Sequence, residues 1–260
     1  MIVRYGGHQT FFIRDGWLYK GVKLLETEPE KLSHEFAADY LGVGRNVALA
    51  VNHWLLATGL AVRTEKGQRK KATGIAPSGL ADLIFDRDPY FSELSAWWVL
   101  HINLVTNPDF AATWCWFFHH YLKDRFEKPA ALEALKRWQS LEKGAQPPSS
   151  TLDRDLLVFL STYSRTVPPV HKDPEEEIDS PFRDLGLMTH FRSSGYYLLH
   201  RAKRSVPAGV LLYALHKGLP PEVQNGPEQE VTFRFGDILD FPRFCRQVIR
   251  PAFLLRTRAG

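Results

Sequence analysis

The feature that most limits how this chain can fold is a glycine-rich turn, Gly42-Val43-Gly44, between two apolar patterns with helical spacing. The first pattern predicts a short helix that has Ser33 as its N-cap and ends near Leu41. The second predicts a longer helix over residues 45–58, followed by Gly59 where a glycine commonly ends a helix. Together the two patterns predict a helix-turn-helix.

A predicted hairpin follows, with strands over residues 60–63 and 72–76, and it completes an N-terminal winged helix-turn-helix. A helix of this width fits the major groove, and basic side chains beside it can neutralise phosphates. We therefore predict contact with double-stranded DNA through the polar and basic residues of the second helix and hairpin: Arg45, Asn46, Asn52, His53, Arg63, Lys66, Arg69, Lys70 and Lys71. The competing interpretation is a winged helix that docks proteins and has a solvated, lysine-rich tip.

The length and composition predict a globular protein, and the helical spacing of apolar residues along most segments predicts a mainly α fold. The 260 residues are enough for two or three subdomains. We expect the winged-helix DNA-binding domain at residues 1–86, a helical middle region at 87–147 and a mostly helical C-terminal region at 148–260. Besides the small hairpin, the alternating residues 231–235 predict a short β element near the C-terminus.

Charge indicates the kind of partner, and cysteine content indicates the cellular compartment. The formal net charge of +4 is modest, so local basic clusters, more than overall charge, indicate an anionic partner. Two cysteines, Cys115 and Cys245, suit a reducing compartment. The sequence has neither a secretory pattern at its start nor an apolar run that spans a bilayer. We therefore expect a cytoplasmic protein with no membrane partner.

The densest group of polar and aromatic side chains is the N-terminal segment Tyr5-Gly6-Gly7-His8-Gln9-Thr10-Phe11-Phe12-Ile13-Arg14-Asp15-Gly16-Trp17-Leu18-Tyr19-Lys20-Gly21. Its pattern predicts a strand over residues 10–13 and a helix over residues 15–26. This segment, continued by the Leu41-Gly42-Val43-Gly44-Arg45-Asn46 turn, resembles the SspB-type family of bacterial DNA phosphorothioation proteins. The resemblance is firm over roughly residues 4–85 and looser to about residue 255.

The resemblance implies a DNA nicking endonuclease of an antiphage defence system, which opens one strand for sulfur incorporation. The partners that it implies are a cysteine desulfurase, an ATPase and a PAPS-reductase-like sulfur-transfer protein. A homodimer is left open. A second function, from another class, is a non-enzymatic winged-helix adaptor or regulator that binds DNA and recruits the modification machinery. A third is a scaffold that contacts proteins alone.

If the chain nicks DNA, the N-terminal segment supplies candidate catalytic residues. Phosphodiester hydrolysis needs an activated nucleophile, with a base or metal ion to activate it, and cations that stabilise the developing charge. His8 is a candidate general base or metal ligand, and Asp15 a candidate ligand for a divalent cofactor, Mg²⁺ or Mn²⁺. Arg14 and Lys20 are candidate phosphate contacts. The competing interpretation is structural, with His8 bracing the turn and Asp15 capping the next helix.

A second candidate DNA contact combines the adjacent tyrosines Tyr196 and Tyr197 with the basic residues Arg201, Lys203 and Arg204. Tyrosine rings can stack on bases while the cations contact phosphates. The competing interpretation is a helix with a basic face and half-buried tyrosines.

Two other groups of polar residues are better explained by structural roles than by a ligand site. Cys115 lies four residues before the His119-His120 pair, but zinc needs further ligands, so we favour a place in the core. Asp153 and Asp155 are expected at a helix start, where the helix dipole favours carboxylates.

Overall fold

The computed structural model describes residues 5–32, 36–64, 74–141, 146–168, 179–200 and 206–218. Helices dominate these ranges, which confirms the mainly α prediction, and two small sheets accompany them. Within the same ranges, every helix is too short or too polar to cross a bilayer.

Four helices open the described chain: α1 (Trp17–Thr27), α2 (Pro29–Leu32), α3 (Ala37–Leu41) and α4 (Arg45–Ala57). Helix α3 ends at Gly42, whose φ is 65°, and α4 ends shortly before Gly59, whose φ is 75°. Left-handed backbone at these positions favours glycine because it has no Cβ. Both predicted helices and their turn are therefore present. The N-cap of α3 is Phe36, so the prediction of Ser33, which itself lies outside the described residues, as the cap is wrong.

The hairpin after α4 pairs β1 (Ala61–Thr64) with β2 (Gly74–Pro77) in antiparallel register. The elements thus follow the order expected for a winged helix-turn-helix, but that specific arrangement stays a prediction. The tip residues Lys66, Arg69, Lys70 and Lys71 lie outside the described residues.

The start of the chain differs from the sequence-based expectation. Residues 10–13 form a turn and an irregular segment, because Gln9 and Thr10 adopt positive φ values of 51° and 69° that an extended strand cannot accommodate. Helix α1 begins at Trp17, after Gly16 with a φ of 73°. The prediction of a strand here is therefore wrong, while the helix predicted over residues 15–26 is present but begins two residues later.

Six further helices follow: α5 (Gly79–Arg87), α6 (Leu94–Thr106), α7 (Ala112–His120), α8 (Lys128–Leu141), α9 (Ser149–Tyr163) and α10 (Ala208–Lys217). Helix α5 is capped by Ser78, whose hydroxyl accepts the Ala81 N–H at 3.2 Å. Helix α6 is buried along most of its length, as expected for a helix that is apolar on nearly every side.

A four-stranded sheet in the second half of the chain was not predicted. Its strands are β3 (Arg125–Glu127), β4 (Ser164–Val167), β5 (Met188–Phe191) and β6 (Tyr196–Leu199), in the order β3-β6-β5-β4. Because β5 and β6 form an antiparallel hairpin that turns at Gly195, the alternative of a helix around Tyr196 and Tyr197 is wrong. Arg201, Lys203, Arg204 and the predicted strand at 231–235 lie outside the described residues.

Aromatic side chains join the N-terminal helices to the rest of the core. Trp54 of α4 contacts Trp114 of α7 edge to face at 5.4 Å, and Trp114 contacts Phe159 of α9 in the same way at 5.4 Å. All three are buried, and such pairs add stability beyond the burial of area alone. One hydrophobic cluster therefore includes residues from α1 to α10, and the division into three regions stays a prediction.

Candidate nucleic-acid interface

The N-terminal loop is held to the core by one buried carboxylate on α9. Asp155 Oδ1 accepts the Gly6 N–H at 2.6 Å and lies 2.7 Å from His8 Nε2, while Asp155 Oδ2 accepts the Thr113 hydroxyl at 2.6 Å. The side chains of His8 and Asp155 are nearly inaccessible. We call these four residues the Asp155 anchor. A carboxylate that accepts several hydrogen bonds satisfies its acceptor capacity without solvent.

The hydrogen bonds of His8 assign its tautomer. The Thr10 N–H donates to His8 Nδ1 at 3.1 Å, so Nδ1 is an acceptor and Nε2 carries the proton donated to Asp155. The ring also stacks on Trp54, with centroids 5.7 Å apart. Since both nitrogens are engaged inside the protein, this geometry supports the bracing interpretation of His8 over a role as general base.

Neighbouring residues of the same loop also hold it against the helices of the core. A Cβ on Gly7 would lie 2.4 Å from His53 Nδ1, so only glycine fits there without displacing that ring. The Trp54 indole N–H donates to the Phe11 carbonyl at 3.0 Å, and the Tyr5 hydroxyl donates to Gln139 of α8. The segment that carries the family resemblance therefore contacts α4, α7, α8 and α9.

The other three candidate catalytic residues do not gather around His8. The Arg14 guanidinium lies against the rings of Phe11, Phe12 and Trp17, at 5.7, 5.8 and 5.2 Å. Asp15 and Lys20 are exposed. Asp15 Oδ1 accepts the Gly16 N–H at 2.9 Å.

The expected capping role of Asp15 is wrong, since the N-cap of α1 is Gly16 and no side chain caps this helix. The expectation that Asp153 and Asp155 lie at a helix start is wrong for both, since α9 begins at Ser149 and has no acidic residue in its first turn. Asp155 is buried inside α9, whereas Asp153 is partly exposed and pairs with Lys128 at 2.9 Å.

The start of α4 is a solvent-exposed part of the predicted DNA surface. Arg45, Asn46 and Leu49 are exposed. The N-cap is Gly44, the first turn has no acidic residue, and no side chain caps the helix. Because the first N–H groups of a helix and its dipole favour anions, this end suits a phosphate group.

The next residues of the predicted surface are less accessible. The Asn52 amide donates to the Leu32 carbonyl at 3.4 Å, and His53 packs beneath the N-terminal loop, with its ring 5.1 Å from that of Trp54. Both side chains are half-buried. On β1, Arg63 is exposed and its guanidinium lies 5.0 Å from the Phe110 ring. The accessible residues of the predicted DNA surface thus lie on the first turns of α4 and on β1, within the part of that surface that the structure describes.

His119 is buried and Cys115 is half-buried, as the sequence favoured, whereas His120 at the end of α7 is exposed, so its predicted place in the core is wrong. The Cys115 thiol donates to the Leu104 carbonyl at 3.5 Å, and burial raises the pKa of this thiol well above its usual range. His119 Nε2 donates to the Val105 carbonyl at 2.7 Å. In the described part of the chain, no three His, Cys, Asp or Glu side chains converge as ligands for a metal ion. Mg²⁺ is usually held by one or two carboxylates together with water and phosphate oxygens, so the exposed Asp15 stays a candidate ligand.

Comparison with known proteins supports the resemblance found in the sequence. The family described as "Protein of unknown function (DUF4007)" matches residues 5–241. A crystal structure of magnesium ion-bound SspB is similar with a TM-score of 0.77 and 25% identity, over 88% of this chain and 68% of that one. Another SspB crystal structure is similar with a TM-score of 0.74 and 25% identity, over 88% of this chain and 67% of that one. No curated protein matches.

Proposed function

Since the chain belongs to the DUF4007 family and is similar in fold to SspB, we propose that it binds DNA in a bacterial phosphorothioation system and nicks one strand. The phosphorothioation context rests on the SspB-type resemblance of residues 5–21, which the structural similarity supports. The proposed partners are therefore the sulfur-transfer proteins of such a system. The observation that carries the DNA-binding part is the exposed start of α4.

Contact with duplex DNA follows from the residue types at that helix end. Arg45 can donate two hydrogen bonds to a phosphate or to guanine, and the amide of Asn46 can pair with adenine. Gly44 has open space around its Cα, so a phosphate can approach the first N–H groups of α4. Arg63 adds a cation on β1. The half-buried Asn52 and His53 are less suited to base contact.

The hairpin tip supplies the second part of the proposed DNA surface. Lys66, Arg69, Lys70 and Lys71 are four cations within six residues. Such a group binds phosphates of any sequence and releases counterions. Their replacement by glutamine should weaken binding to all duplexes and reduce the salt dependence of affinity, by about one unit of slope for each phosphate that is no longer neutralised. If the variant keeps the full salt dependence of affinity, the hairpin tip is not part of the DNA-binding surface.

Nicking is supported by the SspB-type resemblance, and the magnesium ion-bound state of an SspB structure supports Mg²⁺ as its cofactor. Because no group of three possible ligands converges in the described part of the chain, we derive no catalytic step through a metal ion. The exposed Asp15 and Lys20 stay candidates for contact with the reacting phosphate. His8 and Arg14 are reassigned to positioning the loop.

Supercoiled plasmid incubated with the pure full-length chain tests the enzymatic part. We expect Mg²⁺ or Mn²⁺ to give relaxed circles and EDTA to prevent them. Asp15→Asn should reduce this nicking if Asp15 contacts the reacting site. His8→Gln, whose amide can donate to Asp155 and accept from Thr10, should retain it. A folded His8→Gln protein that binds DNA but cannot nick would restore His8 as a catalytic residue.

A non-enzymatic DNA-binding adaptor is the second candidate. It is favoured by the separation of the four candidate catalytic residues and by the internal hydrogen bonds of His8. Tight duplex binding with no relaxed circles under any metal condition would select the adaptor. If the chain neither nicks nor shows salt-sensitive affinity for DNA, both candidates fail and a protein scaffold is the remaining function.

A further inference from the structure

The four-stranded sheet has one covered face and one open face. Alternate residues along each strand lie on the same face, and on one face Phe126, Met188 and Leu199 are buried. The residues between them are more exposed. We call this side the outer sheet face, and its members include Arg125, Glu127, Val167, Phe191, Tyr196 and Leu198.

An aromatic row crosses the outer sheet face. Phe191 is the register partner of Tyr196 on one side and of Val167 on the other, and Tyr196 is in turn opposite Glu127. Phe191 is 36% exposed and Val167 44% exposed, while Tyr196 is half-buried. Cross-strand partners have adjacent side chains, so the two rings form a continuous surface that solvent reaches.

Two arginines belong to the outer sheet face. The Arg125 guanidinium lies 4.3 Å from the centroid of the Tyr196 ring, which holds a planar cation against the aromatic surface. Arg165 of β4 is two residues before Val167, so it lies on the same face, and it is exposed and pairs with Asp184 at 2.6 Å. Glu127 is the acidic member of the row.

We propose that the outer sheet face binds single-stranded DNA. Base rings stack on exposed aromatic side chains, and arginines beside them bind the backbone phosphates, which is how sequence-tolerant single-strand sites work. The proposal rests on the proposed function, since a nicked strand can separate from its complement. It uses residues that are distinct from those at the start of α4.

The shape of the surface favours a single strand over a duplex. In a duplex the faces of the bases are already stacked on one another, and side chains reach only base edges and phosphates. Phe191 and Tyr196 offer ring surfaces but no base-reading hydrogen-bond donor apart from the tyrosine hydroxyl. We therefore expect the outer sheet face to prefer unpaired bases.

The test is fluorescence anisotropy of the full chain with labelled oligo(dT) and with a labelled duplex. The Phe191→Ala/Tyr196→Ala double variant should bind oligo(dT) about 10- to 100-fold more weakly and the duplex unchanged. Arg125→Lys, which keeps the charge but loses the planar contact, should cost oligo(dT) binding about 2- to 5-fold. Tyr90→Ala is the matched control, because Tyr90 is a 68% exposed aromatic residue outside the sheet, and we expect no change.

Photocross-linking with bromouracil-substituted oligonucleotides locates the contact directly. Cross-linked peptides should come from β5 and β6, and cross-links confined to other segments would overturn the proposal. Unchanged oligo(dT) affinity in the folded double variant would also overturn it. If that variant does not fold, unchanged affinity in Arg125→Ala decides in the same way. Tighter binding of oligo(U) than of oligo(dT) would overturn the assignment to DNA.

The outcomes separate this site from the proposed function. An Arg45→Ala variant that loses duplex binding but keeps oligo(dT) binding assigns the two ligands to two surfaces. A chain that binds oligo(dT) through the outer sheet face but neither binds nor nicks duplex DNA refutes only the proposed function. A chain that nicks plasmid but has no affinity for oligo(dT) refutes only the single-strand site.

Discussion

The Asp155 anchor and the start of α4 use polar residues in opposite ways. In the anchor, His8, Thr113 and Asp155 have the residue types of a catalytic site, yet their polar atoms bind one another inside the protein. At the start of α4, Arg45 and Asn46 belong to no catalytic pattern, yet both face solvent. Residue type indicates chemistry only where the side chain can reach a ligand. Changes in the anchor should therefore alter stability, and changes at α4 should alter DNA binding.

The largest expected effect is on stability, from Asp155→Ala. This change leaves two buried donors, on His8 and Thr113, and the part-buried Gly6 N–H without their acceptor. Loss of a carboxylate from such a network costs about 3–5 kcal/mol of the free energy of unfolding. Urea denaturation measures it. Asp153→Ala is the matched control on the same helix, because Asp153 is partly exposed and its ion pair contributes at most about 1 kcal/mol. Equal losses of unfolding free energy in the two variants would show that the Asp155 anchor does not stabilise the fold.

Acidification extends the test to another interior polar group. His101 Nδ1 lies 2.9 Å from the Tyr163 hydroxyl, and burial lowers the pKa of His101 from 6.5 to about 3. The unfolded chain takes up this proton first as the pH falls, so stability is complete above pH 6.5 and is lost below it. Between pH 6.5 and about pH 4.5 we expect a loss of about 2–3 kcal/mol.

Urea denaturation of His101→Gln at both pH values checks the source of this loss. Glutamine keeps a hydrogen-bonding group near Tyr163 but binds no proton in this range. The difference in unfolding free energy between the two pH values should therefore shrink by about 2 kcal/mol. An undiminished difference would assign the pH dependence to other groups.

A smaller effect is expected where the loop approaches α4. In Gly7→Ala the new methyl group meets the His53 ring, and such overpacking costs about 1–3 kcal/mol of unfolding free energy. Gly79→Ala is the control, since nothing lies within 4 Å of its Cβ and alanine favours the helix there. Thermal denaturation compares them, and a neutral Gly7→Ala would show that His53 moves aside easily.

The smallest change in stability is expected on the surface. Arg45→Ala should alter the free energy of unfolding by no more than about 0.5 kcal/mol, because its side chain is exposed. The same variant should weaken duplex binding about 5- to 10-fold, as measured by anisotropy. A variant with normal affinity and reduced stability would reverse the comparison between α4 and the anchor.

Local patterns predicted the elements that depend on local physics. The turn at Gly42 and the helix from Arg45 follow from glycine conformation and helical periodicity, which act over a few residues. The four-stranded sheet was missed because its strands are three or four residues long and β4 and β5 pair in parallel across a long connection. Pairing at such separation leaves little trace in a local pattern.

The anchor was missed for a related reason, although one signal was present. Asp155 lies on the apolar stripe of α9, between Leu152 and Leu156 and one turn before Phe159. A carboxylate on a buried stripe requires hydrogen-bond donors, so its burial was predictable. That the donors come from Gly6, His8 and Thr113 was not, because only the tertiary fold brings these segments together.

The position of Asp155 on α9 has a consequence for modularity. A fragment that ended after α5 would retain the proposed groove-reading helix but lose the acceptor that seats its own first residues. The imidazole of His8 and the amide of Gly6 would then lose Asp155 as their hydrogen-bond acceptor. Transfer of the fragment up to α5 into another protein would therefore require that α9 is included. The alternative is a redesigned N-terminal loop that does not need the Asp155 carboxylate.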